Sequence, residues 1–279
     1  MNVWKYFLIL SLTILACRSS FATDRNFAYT NESRTLQGGL RELEAWISYS
    51  YGRDNFYSAV KNRVEFEIGL GKKLQTSFYL NLNAETFPQT IYNPVTDSSG
   101  SIIFQQQSVL HTKFNAGFSN EWKYQLSDPV VNKIGSALYG EISISPDGFE
   151  LETKFILDKK FNRFVTALNF VSEIEWEAED NTEGETEWEQ EFKPEINFGL
   201  IYELPNNFSL GFEARSLNII HEGIWEHSAL FAGPAFSYKQ NDWWVSIGIQ
   251  PQITDFKSSG LDLEDHEKLN ARMLFAYSF

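Results

Sequence analysis

The 279-residue sequence predicts an all-β fold: one 12-stranded antiparallel transmembrane β-barrel of the outer-membrane type. Three observations predict it. The chain ends in a strand whose last residue is aromatic, with Leu269, Ala271, Met273, Phe275, Tyr277 and Phe279 on one face and Asn270, Arg272 and Ser278 between them. Such a strand closes a sheet and faces lipid. Twelve segments alternate apolar and polar residues with period two, each bounded by turn residues. The apolar faces of all twelve carry no charge. A lysine or arginine facing lipid near the midplane costs roughly 2 to 4 kcal/mol, which accounts for the exclusion.

The elements follow in order. Met1 to Ala22 reads as a signal peptide: Lys5, the apolar stretch Tyr6 to Ala16, then Ser20-Phe21-Ala22 before the cleavage point. A competing site at Ile14-Leu15-Ala16-Cys17 would make Cys17 a lipidated N-terminus, with Leu15 a poor fit. Cleavage after Ala22 leaves no cysteine, and with it no disulfide. Residues 23–41 read as a periplasmic or lumen-entering lead segment, and 42–279 as the barrel.

The predicted strands are Glu42 to Tyr51, Lys61 to Leu70, Leu74 to Asn83, Leu110 to Leu126, Ala137 to Ser145 and Phe149 to Leu157. Arg163 to Trp176, Trp188 to Leu204, Phe208 to Ser216, Ala229 to Tyr238, Trp243 to Ile253 and Lys268 to Phe279 complete the set. Long polar loops are expected at Thr86 to Gln105 and at the acidic Glu177 to Glu187. Short turns such as Gly71-Lys72-Lys73 and Pro205-Asn206-Asn207 suit the periplasmic end, where both termini belong. Pro194, Pro234 and Pro251 fall on outward faces, where each removes one ladder hydrogen bond, so strand ends or bulges are expected there.

Composition excludes several classes. Aromatics reach 16%, but after the signal peptide no stretch approaches the roughly 20 apolar residues of a membrane helix. The net charge of −14 argues against nucleic acid, whose phosphates need a basic surface.

The polar faces are crowded with ions. Arg63, Glu65, Glu67, Lys113, Glu152, Lys154, Glu173, Glu191, Lys193, Glu195, Glu213, Arg215 and Arg272 are the candidate lumen lining. Acids outnumber bases, so a conducting pore should prefer cations weakly. The other reading is a lumen plugged by salt bridges, with a structural or surface-interaction role. Phe275, Tyr277 and Phe279 are the candidate assembly signal for the barrel assembly machinery. Outer-membrane lipid and lipopolysaccharide are the other expected partners, and a monomer is expected.

Chemistry beyond this is not indicated. His227 is followed by Ser228 and Ala229, and His111 by Thr112 and Lys113, so neither has a serine on its own strand face two residues on. His221, His227 and His266 show no metal-ligand spacing, and no cofactor motif occurs.

One resemblance adds to these readings. Phe27-Ala28-Tyr29-Thr30, Glu32 to Leu36, Gly39 to Trp46, Asn120 to Pro129 and Ala137 to Glu141 resemble an uncharacterised family of Gram-negative outer-membrane proteins. That family is loosely grouped with transporters of the MetA type associated with phenol degradation. The resemblance implies a monomeric barrel with a transport role, and implies no catalytic residue.

Overall fold

The structure, a computed structural model, describes residues 25–96, 98, 100–180 and 186–279. The predicted signal peptide lies outside the described residues. Twelve strands form: β1 (Arg41–Tyr51), β2 (Ser58–Gly69), β3 (Leu74–Thr96), β4 (Ile102–Ser127), β5 (Gly135–Ser145) and β6 (Gly148–Phe161). They continue as β7 (Phe164–Asp180), β8 (Thr186–Glu203), β9 (Phe208–His221), β10 (Ile224–Gln240), β11 (Trp243–Thr254) and β12 (Leu269–Ser278). Each pairs antiparallel with its sequence neighbours, and β12 returns to β1, so the sheet closes and no edge is left unpaired around the ring.

Closure uses the terminal strand as the sequence suggests. β1 and β12 pair from Glu42↔Ser278 to Tyr51↔Leu269. Phe279 then exchanges backbone hydrogen bonds with Arg41 at 2.9 and 3.1 Å. Along β1 the two faces separate sharply: Glu42 and Glu44 are buried inside, while Leu43 and Ile47 are exposed outside. Phe78, Leu80, Phe118, Trp122, Phe170, Phe212 and Phe275 extend this exposed apolar surface around the ring. Apolar exposure on that scale has no place on a soluble monomer and suits lipid. Among the described residues no helix is long and apolar enough to cross a membrane.

The strands run further than predicted at the end away from the chain termini, which is the outer end in barrels of this type. Thr86 to Gln105 is mostly hairpin, not loop: β3 and β4 stay paired out to Thr96↔Ile102. Their neighbours stop sooner, β2 at Thr86 and β5 at Phe118, so the hairpin continues as a two-stranded ribbon beyond the wall. The ends of the predicted acidic loop are also strand, with Glu179 opposite Glu187; residues 181–185 lie outside the described residues. β9 and β10 meet at the two-residue turn Glu222-Gly223, both with positive φ (50° and 80°), the hairpin geometry that matches strand twist. The reason is common to all three. Beyond the bilayer the backbone ladder persists without the contrast between lipid and lumen, so alternation fades before the strand does, as at Ile102, Ile103 and Phe104, which are consecutive and all exposed.

The prolines behave in two ways. Pro251 sits at the end of the β11–β12 ladder. Pro194 lies inside β8, where the ladder to β9 skips Lys193 and Pro194, and the Asn218 amide donates to the Pro194 carbonyl at 3.0 Å instead. Pro234 lies inside β10, where pairing with β11 lapses between Phe231 and Ala235.

Candidate functional site

The N-terminal segment before β1 runs inside the barrel, at the end where β1 begins and β12 stops. Its sequence explains why it stays there. The Glu32 carboxylate accepts from the Asn26 backbone N–H and side-chain amide, both at 2.7 Å, closing residues 26–32 into a compact loop. Phe27 is fully buried among Val165, Ala167 and Ile201, and its ring fills the space above Gly199. Ala28 and Tyr29 pack against Trp244, Leu274, Ala276 and Trp46.

Inward polar groups then take the loop's backbone donors. Glu213 accepts from the N–H groups of Ala28 (3.1 Å), Tyr29 (2.9 Å) and Thr30 (2.8 Å). Asn169 accepts from Asn31 N–H, Asp158 from Ser33 and Gln75 from Leu36. Hydrogen bonds to charged groups stabilise by about 1.5 to 3 kcal/mol each, so this one carboxylate is a principal anchor. Residues 26–36 therefore form a floor across the lumen held by side chains, and the segment meets the backbone of β2 where Gly39 N–H donates to the Gly69 carbonyl and Gly69 N–H to the Leu40 carbonyl, both at 3.1 Å.

Above the floor lies a vestibule of about 450 Å³, lined from the floor by Arg25, Tyr29 and Asn31 and from the outer rim by Asp147 and Glu177. Three of its arginines gather round one aromatic ring. Arg63 on β2 and Arg272 on β12 flank Trp46 of β1, with ring distances of 5.0 and 5.1 Å, and Arg25 of the floor lies 5.1 Å from the same ring. Arg63 also sits 4.4 Å from Tyr79. Half-way round the ring, β6, β7 and β8 present Glu150, Glu152, Glu173, Glu175 and Glu195. A cation over an aromatic face contributes about 0.5 to 2 kcal/mol, which helps hold the arginines at the wall.

The sequence candidates fall into three places. Arg63, Glu152, Lys154, Glu173, Glu195, Arg215 and Arg272 line the vestibule. Glu65, Glu67 and Glu213 are buried in the floored half, where Glu42, Glu44 and Glu121 add to the acids and Arg25 reaches Glu44 at 3.5 Å. Lys113, Glu191 and Lys193 lie nearer the rim: Lys113 meets Asp147 at 2.8 Å, and Lys193 pairs with Glu191 at 2.8 Å and with Glu175. Within the vestibule, Arg63 pairs with Glu141 at 3.0 Å and Lys154 with Glu152 at 2.9 Å. Phe275, Tyr277 and Phe279 face outward on or beside the closing strand.

Sequence reading gave residues 23–41 as periplasmic or lumen-entering, and did not identify which of them seat in the lumen or the apolar residues that receive them. A signal was there: Phe164-Val165, Leu200-Ile201 and Phe275-Ala276 are apolar on both parities near one end of the barrel, as strands buried on both faces are.

His227 and Ser228 turn to different carboxylates. His227 Nδ1 lies 3.1 Å from Asp262, whereas Ser228 Oγ donates to Asp255 in the connection between β11 and β12. Among the described residues no cluster of metal-ligating side chains occurs.

Residues 19–279 match the model of a family described as a family of unknown function, DUF6662. None of the curated proteins matches the chain in sequence. Solved structures of similar shape include the COG4313 outer membrane channel from Pseudomonas putida F1, with TM-score 0.55 and 9% identity, covering 92% of this chain and 100% of that one. The translocator domain of the autotransporter NalP from Neisseria meningitidis gives TM-score 0.60 at 11% identity, over 88% and 91% of the two chains. At these identities the likeness is one of fold.

Proposed function

The chain belongs to the DUF6662 family, and from that premise we propose that it is a small-solute channel of the bacterial outer membrane, closed at rest by its own N-terminal segment. One observation carries the proposal: the vestibule opens outward and ends on a floor that belongs to no strand of the barrel. Such a floor can leave while the ring of hydrogen bonds stays whole. The channel-like fold supports the same reading.

The finer features are part of the proposal. Vestibule acids outnumber bases, so the open pore favours cations weakly over anions. The protein acts without covalent catalysis, as a monomer, and reaches its membrane through the assembly machinery reading β12, with lipid and lipopolysaccharide around it. The resemblance to a family loosely grouped with MetA-type transporters points the same way. A permanently sealed structural barrel is the second reading, favoured by the buried bonds that Glu213 makes to the floor. Conductance of the full chain and of a chain lacking residues 25–37, in planar bilayers, separates the two. A gated channel conducts once the floor is removed; a structural barrel has no conducting role to reveal in liposome uptake either.

A further inference from the structure

Two guanidiniums at the vestibule floor make no salt bridge among the described residues. Arg215 and Arg272 sit over the Tyr29 ring, 3.9 and 4.3 Å from its centroid. Arg215 donates through Nε to Gln250 at 2.7 Å. Arg272 donates to Ser48 at 2.8 Å and to the Ala28 carbonyl at 3.4 Å. Among the described residues neither makes a salt bridge, unlike Arg63 and Arg25 beside them. The acid nearest in sequence, Glu213, is committed to the backbone of residues 28–30.

Arg215 is only 9% exposed, and a charge so enclosed is costly without a counter-charge. The Tyr29 hydroxyl is buried beside the pair and also finds no partner among the described residues. Guanidinium forks match the acceptor geometry of a carboxylate or phosphate. Glu150 and Glu173, on the paired strands β6 and β7, line the same cavity opposite Arg272 of β12 around the ring, and likewise make no salt bridge among the described residues.

We propose that the vestibule binds a small zwitterionic solute, its oxyanion on Arg215 and Arg272 and its cationic group toward Glu150 and Glu173. A volume of about 450 Å³ admits a solute of this size. The inference deepens the channel reading by naming its solute class. Binding is read at equilibrium, so a barrel that binds without conducting sinks the channel reading alone, and one that conducts without binding sinks this inference alone.

Isothermal titration calorimetry on the full chain in detergent tests it with three probes of one length: 6-aminohexanoate, hexanoate and hexylamine. The zwitterion should bind saturably and roughly tenfold tighter than either singly charged probe. Arg272→Gln should weaken 6-aminohexanoate and hexanoate roughly tenfold, with Arg272→Lys retaining part of the affinity. Glu173→Gln should weaken 6-aminohexanoate and hexylamine and spare hexanoate. Folding of each variant is checked by heat-modifiable gel migration. Equal binding of hexanoate and 6-aminohexanoate overturns the proposal, as does the absence of saturable binding. Unchanged zwitterion affinity in folded Arg272→Gln or Glu173→Gln overturns it too.

Discussion

Glu213 holds three consecutive backbone N–H groups of a segment more than 180 residues away in the chain. Glu213→Ala strands all three away from water, at about 1 to 3 kcal/mol for each buried unpaired donor. The floor should loosen while the barrel stays closed, because the ring pairing of β9 with β8 and β10 is backbone only. Channel openings should become frequent in bilayer recordings; a variant as quiet as the parent shows that the anchor is redundant. Gly199 offers a second test. A Cβ there would lie 2.5 Å from the Phe27 ring, closer than atoms can approach, so Gly199→Val must push Phe27 out of its pocket. Exposure of the floor to added protease should rise in that variant. Neither residue was legible beforehand in this role. Period-two alternation assigned Glu213 to the lumen, but only the fold brings it to Ala28.

The strands were the most legible elements and the floor the least. Alternation located all twelve strands because lipid on one side and a polar interior on the other force it, and it failed where that contrast ends. Thr86 to Thr96 and Leu217 to His221 are strand because the ladder continues outside the bilayer, where composition is unconstrained. The segment before β1 has no such pattern, and its partners Gln75, Asp158, Asn169 and Glu213 are spread over four strands. β12 carries its own prediction. Phe275, Tyr277 and Phe279 stand outward beside the closing seam, with Phe279 6.4 Å from Phe66 of β2. Phe279→Asp should reduce the amount of protein reaching the outer membrane several-fold while export to the periplasm proceeds. Normal outer-membrane levels would remove this residue from the assembly role.

At the scale of the whole molecule, charge and closure decide behaviour. Once the floor is displaced, reversal potentials across a salt gradient should show a modest preference for cations, because the arginines of β2 and β12, with Arg215 on β9 beside β8, are outnumbered by the acids of the same vestibule. The preference should shrink as salt screens fields beyond about 10 Å at 0.1 M. A clear anion preference would mean that Arg215 and Arg272 govern the narrowest point. The overall architecture was legible because it follows from solvent on two faces. Whether the lumen conducts was not, because that depends on how one uncharged-looking stretch, Asn26 to Thr30, seats among side chains distant in sequence.

Single-channel recording of the full chain beside the variant lacking residues 25–37 measures this most directly. Near silence in the full chain and a steady, long-lived conductance in the shortened one is the expected result. Equal conductance in both would show that the floor seals nothing, and silence in both, with each barrel folded by heat-modifiable migration, would show that the barrel is no channel.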